Sequence, residues 1–209
     1  MIALDGMPGA GKTTLLRRLH DAAPGQVKIF PEAQPTDHSD DLQVARELLN
    51  EAADRITTAG QLITAQPGLV VASDRCHIGV LAYRYALAQT GRSPQRTFDD
   101  ALTLCHTMGL LIPRTNVCAL VILIDPERSI ARRARYATDP RYALWFDRSF
   151  LAAYHEFLTR LDAWLTPHPE LISIEADDDL GWPQLAALLP QPLAGKLTAV
   201  LAPEAWEDR

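Results

Sequence analysis

The sequence predicts a doubly wound α/β domain built on a five-stranded parallel sheet, and three observations carry that reading. Short apolar runs of strand length alternate with longer segments of helical period. Most runs are β-branched and show no polar alternation, the pattern of strands buried on both faces. A glycine-rich segment joins the first run to the first helix. The strands are expected at residues 2–4, 27–30, 69–72, 117–124 and 171–174, and the helices at 12–23, 41–65, 78–90, 98–108, 126–137, 148–165 and 182–189. Strand, helix and strand in repetition imply right-handed crossovers and a three-layer sandwich.

The 209 residues contain no internal repeat or composition break, so residues 1–209 are expected to form one domain. The least structured candidates are residues 31–40 and the tail 190–209. Residues 138–141 interrupt two helical patterns and look like the tip of a lid spanning residues 128–148. With 20 Lys+Arg against 26 Asp+Glu the net charge is −6, which gives no broad attraction for a nucleic acid polymer or an anionic membrane. No run reaches the roughly 18 to 20 apolar residues that span a bilayer. Three cysteines, Cys76, Cys105 and Cys118, are too few and odd for a disulfide framework, so a reducing, cytoplasmic setting is expected.

Residues Gly6, Met7, Pro8, Gly9, Ala10, Gly11, Lys12 and Thr13 form an unbroken GxxxxGK[ST], preceded by a strand and followed by a helix. Glycines let successive N–H groups converge on phosphate oxygens, and the helix that begins at Lys12 and continues through Thr14 adds its positive end. Lys12 is one of only three lysines among 20 cationic residues. It is expected to reach the β- and γ-phosphates, with the Thr13 hydroxyl on Mg²⁺. A hard cation needs further oxygen ligands, and Asp74 is best placed, directly before Arg75 at the end of the third strand. Glu32 ends the second strand, where doubly wound folds bind ligands, and is placed to accept a proton from a substrate hydroxyl.

Six of the 17 arginines lie between residues 128 and 148: Arg128, Arg132, Arg133, Arg135, Arg141 and Arg148, opposed only by Asp139 and Asp147. Arg128, Arg132 and Arg135 follow i, i+4, i+7 spacing and are expected on one helical face. Arginines on a closing segment stabilise the charge of a transferring phosphoryl group while excluding water. Tyr83 and Tyr85, with Arg84 between them, and Arg46 and Arg55 on the long second helix, are candidates for the cleft that holds an acceptor. The sequence does not separate the two tyrosines. Cys76-His77 and Cys105-His106 lack metal-site spacing, and His155 reads as a packing residue.

On these residues the chain resembles the P-loop nucleoside and nucleotide kinase superfamily, on its thymidylate kinase and deoxynucleoside kinase side. The resemblance rests on Gly6 to Thr13, on Ser73-Asp74-Arg75, on Ala82-Tyr83 and on Leu123-Ile124-Asp125-Pro126-Glu127 leading into the arginine-bearing segment. It implies a sheet of five parallel strands, a Mg²⁺-ATP donor and an arginine-rich lid. It further implies that Glu32 acts as general base toward a sugar hydroxyl and that Arg75 contacts the acceptor or the transferred phosphate. Three positions depart from thymidylate kinases: Pro31-Glu32-Ala33-Gln34-Pro35 replaces an Arg-Glu-Pro-Gly-Gly stretch, Cys76 replaces an aromatic, and Gly79 replaces a small hydroxyl residue.

The expectation is therefore an ATP- and Mg²⁺-dependent kinase of a small nucleoside-like or nucleotide-like acceptor. Lys12 with Gly6, Pro8, Gly9, Ala10, Gly11, Thr13 and Thr14 would hold the donor; Thr13 and Asp74 would hold the metal. Glu32 would activate the hydroxyl, and Arg75 with Arg132, Arg133 or Arg135 would stabilise charge. The same residues also suit a kinase of an antibiotic or another hydroxyl metabolite. A nucleotide-switch module is a further reading, and it gives Glu32 no role. Helices 41–65 and 78–90 carry enough apolar surface either for a homodimer, which the resemblance favours, or for burial within a monomer.

Overall fold

The strands form where the sequence is apolar without interruption. In the computed structural model every residue of β1 (Ile2–Gly6), β3 (Val70–Asp74) and β4 (Cys118–Leu123) is buried. Residues 1–34, 40–112, 114, 116–165, 171–175 and 181–201 are described. The edge strand β2 (Val27–Phe30) is only partly buried, and β5 (Leu171–Glu175) lies at the other edge. All pairs are parallel, in the order β2-β3-β1-β4-β5, with Ile2 in register with both Ala72 and Cys118. The expected parallel α/β sheet is present.

The helices are α1 (Lys12–Ala22), α2 (Asp41–Ala65), α3 (His77–Gln89), α4 (Gln95–Thr107), α5 (Pro126–Arg132), α6 (Arg148–Thr159), α7 (Leu161–Trp164), α8 (Trp182–Ala186) and α9 (Gln191–Leu201). Short polar side chains start three of them. Asp40 accepts from Leu42 N–H at 2.9 Å, Asp125 from Glu127 N–H at 2.9 Å, and Asp147 from Phe150 N–H at 3.0 Å. Helix α3 packs against α2, α4 and α6, while the Trp182 indole of α8 donates to the Leu15 carbonyl of α1 at 2.6 Å. The chain leaves β1 toward β2 and leaves β3 in the opposite sense toward β4. The carboxyl ends of β1 and β3 thus flank the switch point at which such sheets bind ligands.

Several boundaries differ from expectation. Helix α5 ends at Arg132, and residues Ala134–Tyr136 and Pro140–Phe146 form 3₁₀ turns. Arg128 and Arg132 therefore share one face of α5 as expected, whereas Arg135 lies beyond the helix in a 3₁₀ turn and does not. The cause is local: Arg133 leaves helical geometry at φ −107° and ψ 8°, and its guanidinium lies over Tyr136, Tyr142 and Trp145 at 5.7, 5.2 and 6.0 Å. The single helix expected over 148–165 breaks at Arg160 into α6 and α7. In the tail, α9 orders residues 191–201 because Leu193, Leu197 and Val200 recur at helical spacing and are buried. Residues 35–39 and 202–209, the remainder of the two segments expected to be least structured, lie outside the described residues.

One buried carboxylate sets the distance between β1 and α3. Asp5 is fully buried, accepts from Gly6 N–H at 2.8 Å through Oδ1, and accepts from Cys76 and Gly79 N–H at 3.0 and 2.7 Å through Oδ2. A Cβ at position 79 would lie 2.5 Å from Asp5 Oδ1, which explains the glycine there. Because three N–H groups fix the carboxylate, it cannot swing aside. In Gly79→Ala the clash, worth about 1–3 kcal/mol, should outweigh the gain of about 1 kcal/mol in helix propensity. Urea unfolding should show a net loss of stability; an equal or raised midpoint would contradict the packing.

Candidate functional site

The phosphate loop is shaped by its glycines and closed by Lys12. Gly6 has φ +124°, and a Cβ there would lie 2.1 Å from the Ile122 carbonyl of β4, so only glycine lets the chain turn at the end of β1. Lys12 Nζ, almost fully buried, donates to the Gly6 and Met7 carbonyls at 2.9 and 2.8 Å and ties the loop's first turn. Gly11 caps α1 without a side chain, and the first turn of α1 carries no acid. The positive end of α1 is left for an anion. Burial, then the nearby Arg75 guanidinium, lowers the Lys12 ammonium from 10.5 to about 8, with Asp5 and Asp74 opposing.

Beside the loop, the exposed Thr13 hydroxyl donates to Asp74 Oδ2 at 2.6 Å. Asp74 is buried at the end of β3. The following Arg75 adopts φ 73°, the one left-handed non-glycine residue among those described, and its N–H donates to the Leu4 carbonyl at 2.8 Å. This conformation costs of order 1 kcal/mol or more and marks a site where the backbone is held out of its preferred shape. It turns the guanidinium across the sheet edge to an ion pair with Glu32, Nε to Oε1. Arg55 braces the same strand end: buried on α2, it donates to Ser73 Oγ at 3.1 Å, and Ser73 Oγ donates to the Arg75 carbonyl at 2.9 Å.

A cavity of about 310 Å³ opens beyond the Glu32–Arg75 pair, between α2 and α3. Val44, Leu48 and Val80 supply apolar wall, Tyr83 and Trp145 supply rings 5.6 Å apart, and Arg84 and Asp41 line the cavity with them. That volume is near the lower end for small-molecule sites and suits one ring system with a short arm. The two tyrosines separate: Tyr83 lines the cavity, whereas Tyr85 is buried against Phe98, Phe157 and Trp164. Of the two arginines expected at the cleft, Arg55 lines it and Arg46 is exposed outside its lining.

The arginine-bearing segment meets the loop from the other side. The buried Ser129 hydroxyl donates to the Pro8 carbonyl at 2.7 Å, and Arg132 Nη1 donates to the Gly9 carbonyl at 3.1 Å. Arg133 is held among its three rings, and burial, then Arg75, makes it less basic than usual. Arg135 lies 4.7 Å over the Tyr136 ring, and Arg148 pairs with Glu127. The structure thus gathers Lys12, Thr13, Asp74, Arg75 and Glu32 at one sheet edge and places Arg132 against the loop.

Sequence reasoning missed Asp5, Trp145 and Tyr154, which share this region through contacts 71 to 75 residues apart or through a loop with no motif. Only the position of Asp5, directly before the first glycine, carried a local signal.

A family model described as an AAA domain matches residues 1–161. Among solved structures, deoxyadenosine kinase from M. mycoides with products dCMP and a flexible dCDP bound matches with a TM-score of 0.61 at 12% identity, covering 96% of each chain. The same kinase with dATP bound matches at 0.52 and 13%, covering 85% of this chain and 92% of that one. With dCTP bound it matches at 0.51 and 15%, covering 95% and 98%. These likenesses show a P-loop nucleoside and nucleotide kinase-like fold. No curated protein matches the sequence.

The buried ammonium has a measurable consequence. The unfolded chain keeps the Lys12 proton up to 10.5 and the folded protein releases it near 8, so unfolding takes up a proton between those values. Stability should therefore rise with pH across that window, by at most about 1.4 kcal/mol per unit. The rise is read as the difference between wild type and Lys12→Met in urea unfolding. A pH-independent difference would contradict a desolvated Lys12.

Proposed function

The chain belongs to the AAA domain family, and from that premise we propose that it is an ATP- and Mg²⁺-dependent phosphotransferase acting on a small nucleoside-like or nucleotide-like acceptor. The observation that carries the reading is the juxtaposition at the β1–β3 switch point. Lys12, Thr13 and Asp74 lie on one side of the Glu32–Arg75 pair, and a partly open cavity walled by apolar and aromatic side chains lies on the other. A module that only exchanged and hydrolysed nucleotide would have no use for that cavity. The neighbours' binding of dATP, dCTP and dCMP supports the same assignment.

Lys12 and the loop N–H groups, from Gly6 through Pro8, Gly9, Ala10 and Gly11 to Thr14, hold the donor phosphates. A phosphate oxygen replaces the Gly6 and Met7 carbonyls as the acceptor for Nζ and favours the protonated amine. Thr13 and Asp74 offer a hydroxyl and a carboxylate 2.6 Å apart, hard oxygens that would hold Mg²⁺. Bound there, the ion would supply positive charge to offset that of the donor phosphates. Glu32 accepts the proton of the acceptor hydroxyl as that oxygen bonds to the γ-phosphorus and the bond to the β-phosphate oxygen breaks. Arg75, released from Glu32, faces the transferring group. Arg132, Arg133 and Arg135 approach it on a lid, residues 128–148, within a single domain of residues 1–209.

The free thiols Cys76, Cys105 and Cys118 support a reducing, cytoplasmic setting, and no helix among the described residues is long and apolar enough to cross a membrane. Of the two alternatives for α2 and α3, burial within a monomer is favoured over a homodimer, because Leu49, Ile78, Leu81 and Leu87 are buried within the chain. A kinase of another hydroxyl metabolite uses the same residues with different acceptor contacts.

Incubation of a nucleoside, nucleotide and hydroxyl-metabolite panel with γ-labelled ATP should label at least one acceptor. Lys12→Ala should lower kcat/KM by about 10²- to 10³-fold, the usual loss for one oxyanion partner. Glu32→Gln should lower kcat while ATP affinity holds. The reading fails if no acceptor is labelled and Lys12→Ala leaves ATP affinity unchanged.

A further inference from the structure

Arg84 is a buried cation that lines the cavity, and neither its Nε nor its Nη1 makes a hydrogen bond among the described residues. It lies on α3 with 3% exposure, and its Nη1 is 2.8 Å from Asp41 Oδ1 at the start of α2. Its Nε is also buried, yet it donates to nothing among the described residues. Buried guanidinium N–H groups without an acceptor are rare, because each loses its hydration and gains nothing in return. An acceptor arriving in the cavity resolves the deficit.

The surroundings narrow that acceptor. Asp41 already balances the Arg84 charge, so a second anion at this end gains little, whereas an uncharged oxygen or ring nitrogen gains a charge-assisted hydrogen bond. The guanidinium carbon lies 5.3 Å from the centre of the Tyr83 ring, and Trp145 is the next ring along, so the available space is bounded by flat surfaces. Arg84 follows Cys76 by eight residues of α3, about 12 Å at the helical rise of 1.5 Å per residue. That span accommodates one heterocycle and a sugar between Arg84 and the Glu32–Arg75 pair.

Resting on the phosphotransferase reading, we propose that Arg84 selects the acceptor. Its Nε–H donates to an uncharged carbonyl oxygen or ring nitrogen of a planar heterocycle, which directs the hydroxyl arm toward Glu32. The acceptor is then a nucleoside or nucleoside-like compound whose ring is neutral at its distal edge.

Calorimetry with wild-type protein tests this directly. The probes are purine and pyrimidine nucleosides, their deaza analogues with one ring nitrogen replaced by C–H, and their thiocarbonyl analogues with oxygen replaced by sulfur. One substitution should weaken binding by about tenfold or more, the value of one such hydrogen bond. The penalty should vanish in Arg84→Met and in Arg84→Lys, which keeps the charge and the pairing with Asp41 but lacks Nε. A wild type indifferent to every analogue, a penalty that persists in either folded variant, or no nucleoside binding at all overturns the proposal. Phosphoryl transfer is assayed separately: analogue-selective binding without transfer removes the kinase reading alone, and transfer without Arg84-dependent selectivity removes this proposal alone.

Discussion

Everything at the sheet edge depends on the Asp5 carboxylate. It is fully buried between β1 and the start of α3, and a charge in that position persists only when its oxygens are hydrogen-bonded. Three backbone N–H groups and the Cys76 thiol supply those bonds. The same contacts fix the phosphate loop, which begins one residue after Asp5, relative to Arg75, Cys76 and the α3 wall of the cavity. The two halves of the site thus share one anchor.

Charge is then arranged around that anchor in short-range pairs. Lys12 is held on its own loop, Arg75 on Glu32, Arg84 on Asp41, and Arg55 on Glu51. The net charge of −6 says nothing of this focused arrangement. Lys12 and Arg75 each already hold an oxygen partner, so exchanging it for an oxygen of a bound anion would bury no new naked charge. Arg133 is stored differently, among three aromatic rings next to the loop.

The phosphate loop and the Asp74-Arg75 strand end were legible in sequence because their chemistry lies in contiguous residues with fixed spacing. Helix α2 was legible over Asp41–Ala65 for the same reason, its apolar period being local. What escaped was set by distant contacts. Gly79 is a departure from a motif until Asp5 is seen against it. Tyr83 and Tyr85 have the same chemistry one position either side of Arg84, and only the packing of α4 and α6 against α3 buries the second. Arg135 leaves the face expected to hold it with Arg128 and Arg132 because the helix gives way at Arg133, whose aromatic contacts helical spacing alone does not reveal.

The central claim is that the loop and the cavity act as one donor–acceptor site across the Glu32–Arg75 pair. The most direct measurement is the dissociation constant of a bisubstrate compound, adenosine joined through five phosphates to a nucleoside, compared with that of ATP. If both halves are engaged at once, the linked compound should bind at least about 100-fold more tightly. Affinity no greater than that of ATP would contradict the account.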